Sequence, residues 1–465
     1  MRASFPAVLI AMLLAAGPQP DPLRLERLAT DEELVFEGPG IESPGEEPPG
    51  HPIRSLVADD FADLEFLRES LDGVRIVQLG ESGHGMAETF LLKSRLVRFL
   101  HRELGFSVVA FESDLYQCHD ADRRAGTAPA RTTLLKCVFG VWHTEEVLPL
   151  FEVLAETRDG GEPDASRTAG GSEAATGGPR VPLRLAGFDI QPIGSNKEHR
   201  PGFLAGLVAH VDEVRADSVL ALDSTLLAEY AKGGSSRRAY FREHRAELLS
   251  AYDRLSALLE RSLPEIEAAA GREDALIGLQ TARSIAAYVR QQTAPDGRAY
   301  AEGRDRGMAE NVRFLLEELF PGVRIIVWGH NAHARHANED IPVRGGSYSP
   351  RVAFRSMGSW LREWYGKEVF TIGQYAFGGE AANNSRDVYR IDPAPRGTLE
   401  HRLAEARRRL WFVDLRATGS LEDGGWTREP QIARYNGQIY QVLVPADQYD
   451  ALILVADVTP PRFLY

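Results

Sequence analysis

Four short apolar runs limit the chain's folding choices most: Val74–Leu79 (VRIVQL), Ser107–Phe111 (SVVAF), Leu183–Phe188 (LRLAGF) and Val323–Trp328 (VRIIVW). Each is five or six residues long and largely apolar, the pattern of a strand buried on both faces of a parallel sheet. Helix-periodic stretches lie between them. Ala87–Leu104 carries Phe90, Leu91, Leu92, Leu96, Val97 and Leu100 near a 3.6-residue period, and Arg304–Phe320 leads into the fourth run in the same way. Strand, helix and parallel strand in succession predict an α/β protein: a three-layer α/β/α core with a mainly parallel sheet. From Phe203 to about Gln292 the pattern is almost wholly helical, punctuated at Lys232-Gly233-Gly234 and at Pro264, which predicts a helical insertion capping one end of the sheet. Beyond Glu368, the runs VFTIGQYAF, LWFVDL and ALILVAD are expected to complete the sheet or add a β element near the site.

The ends of the chain set further boundaries. Arg2, the apolar run Phe5–Ala16 and the small residues Ala15-Ala16-Gly17 fit a signal peptide over residues 1–17, and hence an exported, periplasmic or secreted protein. The run is too short to span a bilayer and nothing later approaches ~18 apolar residues, so no stable membrane insertion is expected. Residues 18–52, with EGPGIESPGEEPPGHP at their end, read as an extended linker. The first part of the core is expected over 53–200, interrupted by a Gly/Ser/Ala-rich flexible insertion at 159–179. The helical insertion follows over 201–300 and the second part of the core over 301–465. With 53 Lys+Arg against 67 Asp+Glu, the net charge of −14 and the lack of a basic run exclude a nucleic-acid partner. The only two cysteines, Cys118 and Cys137, match no zinc or redox motif. Export would permit one disulfide between them, but the sequence does not show that they meet.

In open parallel sheets ligands bind beyond the carboxyl ends of the strands. All four runs place ionisable residues there: Gly80-Glu81-Ser82-Gly83-His84-Gly85, Glu112-Ser113-Asp114, Asp189-Ile190-Gln191, and Gly329-His330-Asn331-Ala332-His333. His84, between two glycines and just ahead of a helix N-terminus, is placed to stay neutral and act as a general base. Glu81 or Glu112 could fix its tautomer, although each taken singly reads as readily as a helix cap or a partner for arginine. Ser82 lies in no G-x-S-x-G elbow and reads as a turn residue. His84, Glu112, His330 and His333 can be drawn as a metal site, but no H-E-x-x-H motif is present and the metal-free reading is preferred.

GESGHGMAETFLLKSRLVRFLHRELGFSVVAFES resembles the opening catalytic block of the erythromycin esterase family, and GFDIQ, RDRGMAENVRFLLE and VWGHNAHARH resemble its later blocks in the same order, over about Leu71 to His336. The resemblance implies a metal-independent, cofactor-free hydrolase that opens macrolide lactones with activated water and can confer antibiotic resistance. It also implies an α/β/α core with a helical insertion and a small-molecule ester or lactone as partner. By position, His84 matches the water-activating histidine, Glu81 and Glu112 the two carboxylates, and His330 and His333 the later histidine pair. Glu88 falls on another acidic position. Lys93 stands where lactone-opening members can have arginine, losing a bidentate guanidinium, and Ser82-Gly83 replaces a pair such as Ala-Thr. His84, Glu81, Glu112 and His330 are accordingly expected to be catalytic, and His333, Lys93, Glu88, Arg304 and Asp189 to bind substrate, with the cations or later histidines steadying the oxyanion. Two other classes compete: a metal-dependent hydrolase at the same histidines, and an exported non-catalytic protein binding a small molecule such as haem.

Overall fold

The four apolar runs become four adjacent parallel strands, because each carries apolar side chains on both faces. The structure, a computed structural model, describes residues 36, 38–39, 41, 49–158, 181–195, 197–341, 353–418 and 422–465. Numbered along the chain, the strands are β1 (His51–Pro52), β2 (Ile76–Leu79), β3 (Val108–Asp114), β4 (Arg184–Asp189), β5 (Ile325–Trp328), β6 (Val369–Ala382), β7 (Val388–Ile391), β8 (Leu410–Asp414), β9 (Gln431–Tyr435), β10 (Ile439–Leu443) and β11 (Ala451–Val458). All but β9 and β10 form a nine-stranded sheet in the order β1-β8-β11-β6-β2-β5-β3-β4, with β7 beside β6. The block β11-β6-β2-β5-β3-β4 is parallel throughout; β1, β7 and β8 pair antiparallel. The late runs therefore complete the sheet as β6, β8 and β11, while β9 and β10 form a separate antiparallel hairpin.

Side chains alternate across the sheet to build two cores. On one face Val77, Leu79, Val109, Phe111, Ile326 and Trp328 pack with Phe90, Leu92, Leu96 and Val97 of the helix Ala87–Leu104. That helix ends where Gly105 adopts φ 73° and its amide bonds the Leu100 carbonyl, a left-handed stop that favours glycine. On the other face Ile76, Val108, Phe188, Ile325 and Val327 meet Met308, Val312 and Leu315. The helix before β5 starts earlier than its apolar period, at Gly297, because Asp296 caps it through the Ala299 amide (2.8 Å); it passes into a π-helical turn at Leu315–Leu319. These layers give the expected α/β/α core.

Six helices between Arg200 and Gln292 share a third core around Leu226, Tyr252, Leu259 and Val289. Within it, Arg200 makes a bidentate pair with Asp223 (2.9 and 3.0 Å), and the Tyr252 hydroxyl donates to the same carboxylate (2.7 Å). No helix among the described residues is long and apolar enough to cross a membrane.

Residues 1–17 and 159–179 lie outside the described residues. Part of the expected linker is described and differs from the expectation. Phe36 is buried against Phe377 (ring centroids 5.1 Å), and His51–Pro52 pairs with β8 as an edge strand. Proline is tolerated on an edge, so the Pro/Gly composition concealed a short pairing.

Cys118 and Cys137 form a disulfide that ties the helix Leu115–Asp122 to the helix Ala130–Cys137. Closing this loop restricts the unfolded chain, so Cys118→Ala/Cys137→Ala should lower the unfolding free energy by about 3 kcal/mol. Urea titration of the variant against the oxidised wild type measures this, and equal midpoints would show that the bridge contributes no stability.

Candidate active site

Because β2, β5, β3 and β4 run parallel side by side, the residues that come after them gather at one edge of the sheet. The turn after β2 is held close to β6: a Cβ on Gly85 would overlap the Ala382 carbonyl, so glycine alone allows the approach. Within this turn the Glu81 side chain is fully buried and binds three donors. His84 Nδ1 lies 2.7 Å from Oε1, the Trp142 indole Nε1–H donates to the same oxygen at 3.1 Å, and Lys93 Nζ donates to Oε2 at 2.7 Å. Lys93 is also fully buried, donating to the Gly329 carbonyl (3.2 Å) and lying over the Trp328 ring at 4.4 Å. Burial pushes its ammonium down to about 8, against the upward pull of Glu81. In a neutral His84 ring the carboxylate keeps the proton on Nδ1, which leaves Nε2 as the basic nitrogen. The His84 side chain is 19% exposed, and it faces the cavity.

Glu112, inside β3, organises the other half of the site. Its Oε1 accepts from Arg304 Nη2 at 2.8 Å and its Oε2 from the His330 amide at 3.1 Å; His333 Nε2 is 3.4 Å away. Burial opposes ionisation of Glu112, but His333 and Arg304 outweigh it and hold the carboxyl far below the usual carboxylate range. Arg304 also grips Asp189 with two bonds (2.6 and 3.2 Å). His333 Nδ1 meets both Asp305 oxygens (2.9 and 3.0 Å). Although burial disfavours its charged form, Asp305 and Glu112 raise it above the ordinary imidazole value. His330 goes the other way: burial, with His84 and His333 adding to it, drives it well below that value. The Ala332 amide donates to His330 Nδ1 (3.0 Å), so Nε2 carries the proton and donates to the Ser82 carbonyl at 3.2 Å.

His84, Glu112, Arg304, His330 and His333 line one cavity of about 320 Å³. Glu81 and Lys93 lie beneath it, and Asp189 stands behind Arg304. Three expectations change. Asp189, expected to bind substrate, is fully buried off the cavity wall with both oxygens on Arg304. Lys93, expected to bind substrate, is sealed under Glu81, because the middle of its helix faces the core rather than the cavity. Glu88, in the first turn of that helix, points to the far end of the chain: its two oxygens accept from the Thr459 amide and hydroxyl at 2.7 Å each. Of the two carboxylates, Glu81 and not Glu112 holds His84. Trp142 and Asp305 belong to the site although sequence reasoning did not single them out. Asp305 comes after Arg304 in a helix and has no pattern of its own, whereas Trp142 sits in a short turn far from the motifs. Tyr435, at the end of β9, and Asn436, in the turn to β10, also line the cavity, and nothing local in the sequence marks them. As for the metal drawing, the ring nitrogens of His330 and His333 are already engaged within the chain, and no metal-holding group of three or more His, Cys, Asp or Glu occurs among the described residues.

The comparisons with known proteins place this chain, with its parallel sheet and carboxylate-bound histidine over a cavity, among hydrolases. The chain belongs to the erythromycin esterase family: the family profile, described as erythromycin esterase, matches residues 101–458. It is 30% identical over 424 residues to the Bacillus subtilis (strain 168) protein named "Putative hydrolase YbfO", covering 86% of this chain and 87% of that protein. A 54-residue stretch, 12% of this chain and 13% of the other, is 43% identical to erythromycin esterase type II of Escherichia coli. Among solved structures, a Bacillus cereus protein superposes with TM-score 0.71 at 21% identity over 90% of this chain and 97% of its own. A mutant of the erythromycin esterase EreC in its open conformation gives 0.61 at 18%, over 87% and 96%. At these identities the structural likenesses show the fold.

The buried charges have two measurable consequences. Lys93→Met leaves Glu81 buried without its cation and should cost about 3–5 kcal/mol in urea unfolding; a loss under about 1 kcal/mol would mean that Glu81 is not held as an ion. For His333, a folded value raised above the unfolded one means that its stabilisation is complete below about pH 6.5 and fades as pH rises through the raised value. Urea midpoints of wild type minus His333→Gln, taken from about pH 6 to about pH 9, should therefore shrink with rising pH; a difference that grows contradicts the Asp305 pairing.

Proposed function

We propose that the protein hydrolyses a carboxylic ester or lactone with a water activated at His84. The observation that carries this is the buried set Lys93–Glu81–His84, with Trp142 on Glu81, which directs the basic Nε2 of His84 toward the cavity. Nε2 takes a proton from water as the oxygen adds to the ester carbonyl, and Glu81 stabilises the imidazolium that forms. Arg304, a cation, and His333, whose charged form Asp305 and Glu112 favour, both line the cavity and lie where the oxyanion develops. Collapse of the adduct expels the alkoxide, which recovers the proton from His84 and yields acid and alcohol, or a hydroxy acid from a lactone.

No serine or cysteine nucleophile is needed. Ser82 is buried, with its Oγ against the Met86 sulfur at 4.0 Å, and both cysteines are in the disulfide. The engaged nitrogens of His330 and His333 support a mechanism without metal. The relatives named erythromycin esterases make macrolactones the first natural substrates to try, and antibiotic resistance the first physiological role. The disulfide, which persists in oxidising compartments, supports export to the periplasm or medium.

The test is hydrolysis of aryl esters and erythromycin by purified protein, with and without a chelator. Turnover adding one water, indifferent to chelator and reduced about 10²–10⁴-fold in His84→Ala, is expected. Turnover that survives the substitution, or none on any ester, overturns the mechanism.

A further inference from the structure

Resting on that hydrolytic reading, we propose that the site takes esters of uncharged, polyhydroxylated alcohols of the sugar type. The first observation concerns charge. Every cation and carboxylate named in the cavity wall or beneath it already has a partner of opposite sign: Arg304 with Glu112 and Asp189, His333 with Asp305, Lys93 with Glu81. A substrate that carries a charge of its own finds no unpartnered counter-ion among these groups, whereas the oxyanion of the reaction forms only beside Arg304 and His333.

The second observation concerns the rest of the wall. Gln191 after β4, Asn384 after β6 and Asn436 between β9 and β10 are neutral carboxamides that line the cavity. None of their side chains has a hydrogen-bond partner among the described residues. A carboxamide donates and accepts at once, as a hydroxyl does, whereas an ether or ketone can only accept. Asn436 is built into place. Its backbone is left-handed (φ 53°), its amide donates to the Ser82 carbonyl at 2.8 Å, and its Oδ1 lies over Gly83, 3.1 Å from where a Cβ would stand. The backbone of Asn436 is thus held against the turn that carries His84, and its carboxamide belongs to the same cavity wall, with Oδ1 turned onto Gly83 and the amide nitrogen left to donate. Phe139 and Tyr435 add ring surface for the C–H face of a cyclic polyol.

The experiment compares the acetate esters of methyl glucoside, cyclohexanol, choline and lactate, each kcat/KM divided by the hydroxide-catalysed rate of the same ester. The glucoside ester should exceed the cyclohexyl ester by about ten-fold or more, and the cationic and anionic esters should fall below both. Asn436→Gly, which keeps the left-handed turn, and Gln191→Ala should each lower the glucoside-to-cyclohexyl ratio by about 2- to 10-fold, the loss of one hydrogen bond. A ratio of one or less, preference for a charged ester, or an unchanged ratio in both variants overturns the proposal while leaving the hydrolase intact. Hydrolysis of none of the four while aryl esters or erythromycin are still cleaved overturns the proposal alone; equal hydrolysis by His84→Ala, or no cleavage of any ester, overturns the hydrolytic reading and the proposal with it.

Discussion

The ion pair between Lys93 and Glu81 is the contact on which the site depends. A cation and an anion are removed from water in the floor of the cavity and set 2.7 Å apart. Each is further satisfied: Lys93 by a carbonyl and the Trp328 ring, Glu81 by His84 and Trp142. A pair of this kind adds little net stability over a well-packed apolar replacement. It fixes where a negative charge sits, and therefore which nitrogen of His84 holds the proton. The sheet makes the arrangement possible, since Glu81 comes just after β2, Trp328 ends β5 beside it, and Lys93 comes from the helix packed against both.

A second network mirrors the first without sharing a direct bond with it. Glu112 joins Arg304, the His330 amide and His333, and Asp189 and Asp305 take the remaining valences of Arg304 and His333. One network presents a base, the other presents cations, and the cavity lies between them. The opposed histidine shifts arise from this division. His333 is surrounded by carboxylates, whereas the His330 ring bonds only backbone, and burial and neighbouring cations there outweigh Glu112.

The sheet and the strand-end clusters were legible because they depend on local pattern. A strand buried on both faces must be apolar throughout, and the residues just past its carboxyl end are polar for a reason other than folding. His84, Glu112, His330 and His333 were therefore readable from position alone, and all four line one cavity. Glu88 and Lys93 show the limit. They sit in a motif next to the site, but a helix turns successive residues about 100° apart, so nearness in sequence does not settle which face they serve. Trp142 and Asp305 reach the site through contacts across many residues, and Asn436 through a hairpin whose own sequence only signals a turn. In the same way the Pro/Gly-rich stretch before residue 53 has the composition of a linker, although its last two residues pair as an edge strand.

The cavity has one property that the catalytic groups alone do not confer. Its histidines and carboxylates all lie between residues 81 and 333, yet its far wall comes from residues beyond 380, with Asn436 bonded back to the Ser82 carbonyl. A chain cut between those two regions keeps these side chains but loses β6, the strand paired with β2, and with it the support of the turn that carries His84. The two ends of the chain thus meet across the cavity, so that the opening turn and the late hairpin stand or fall together.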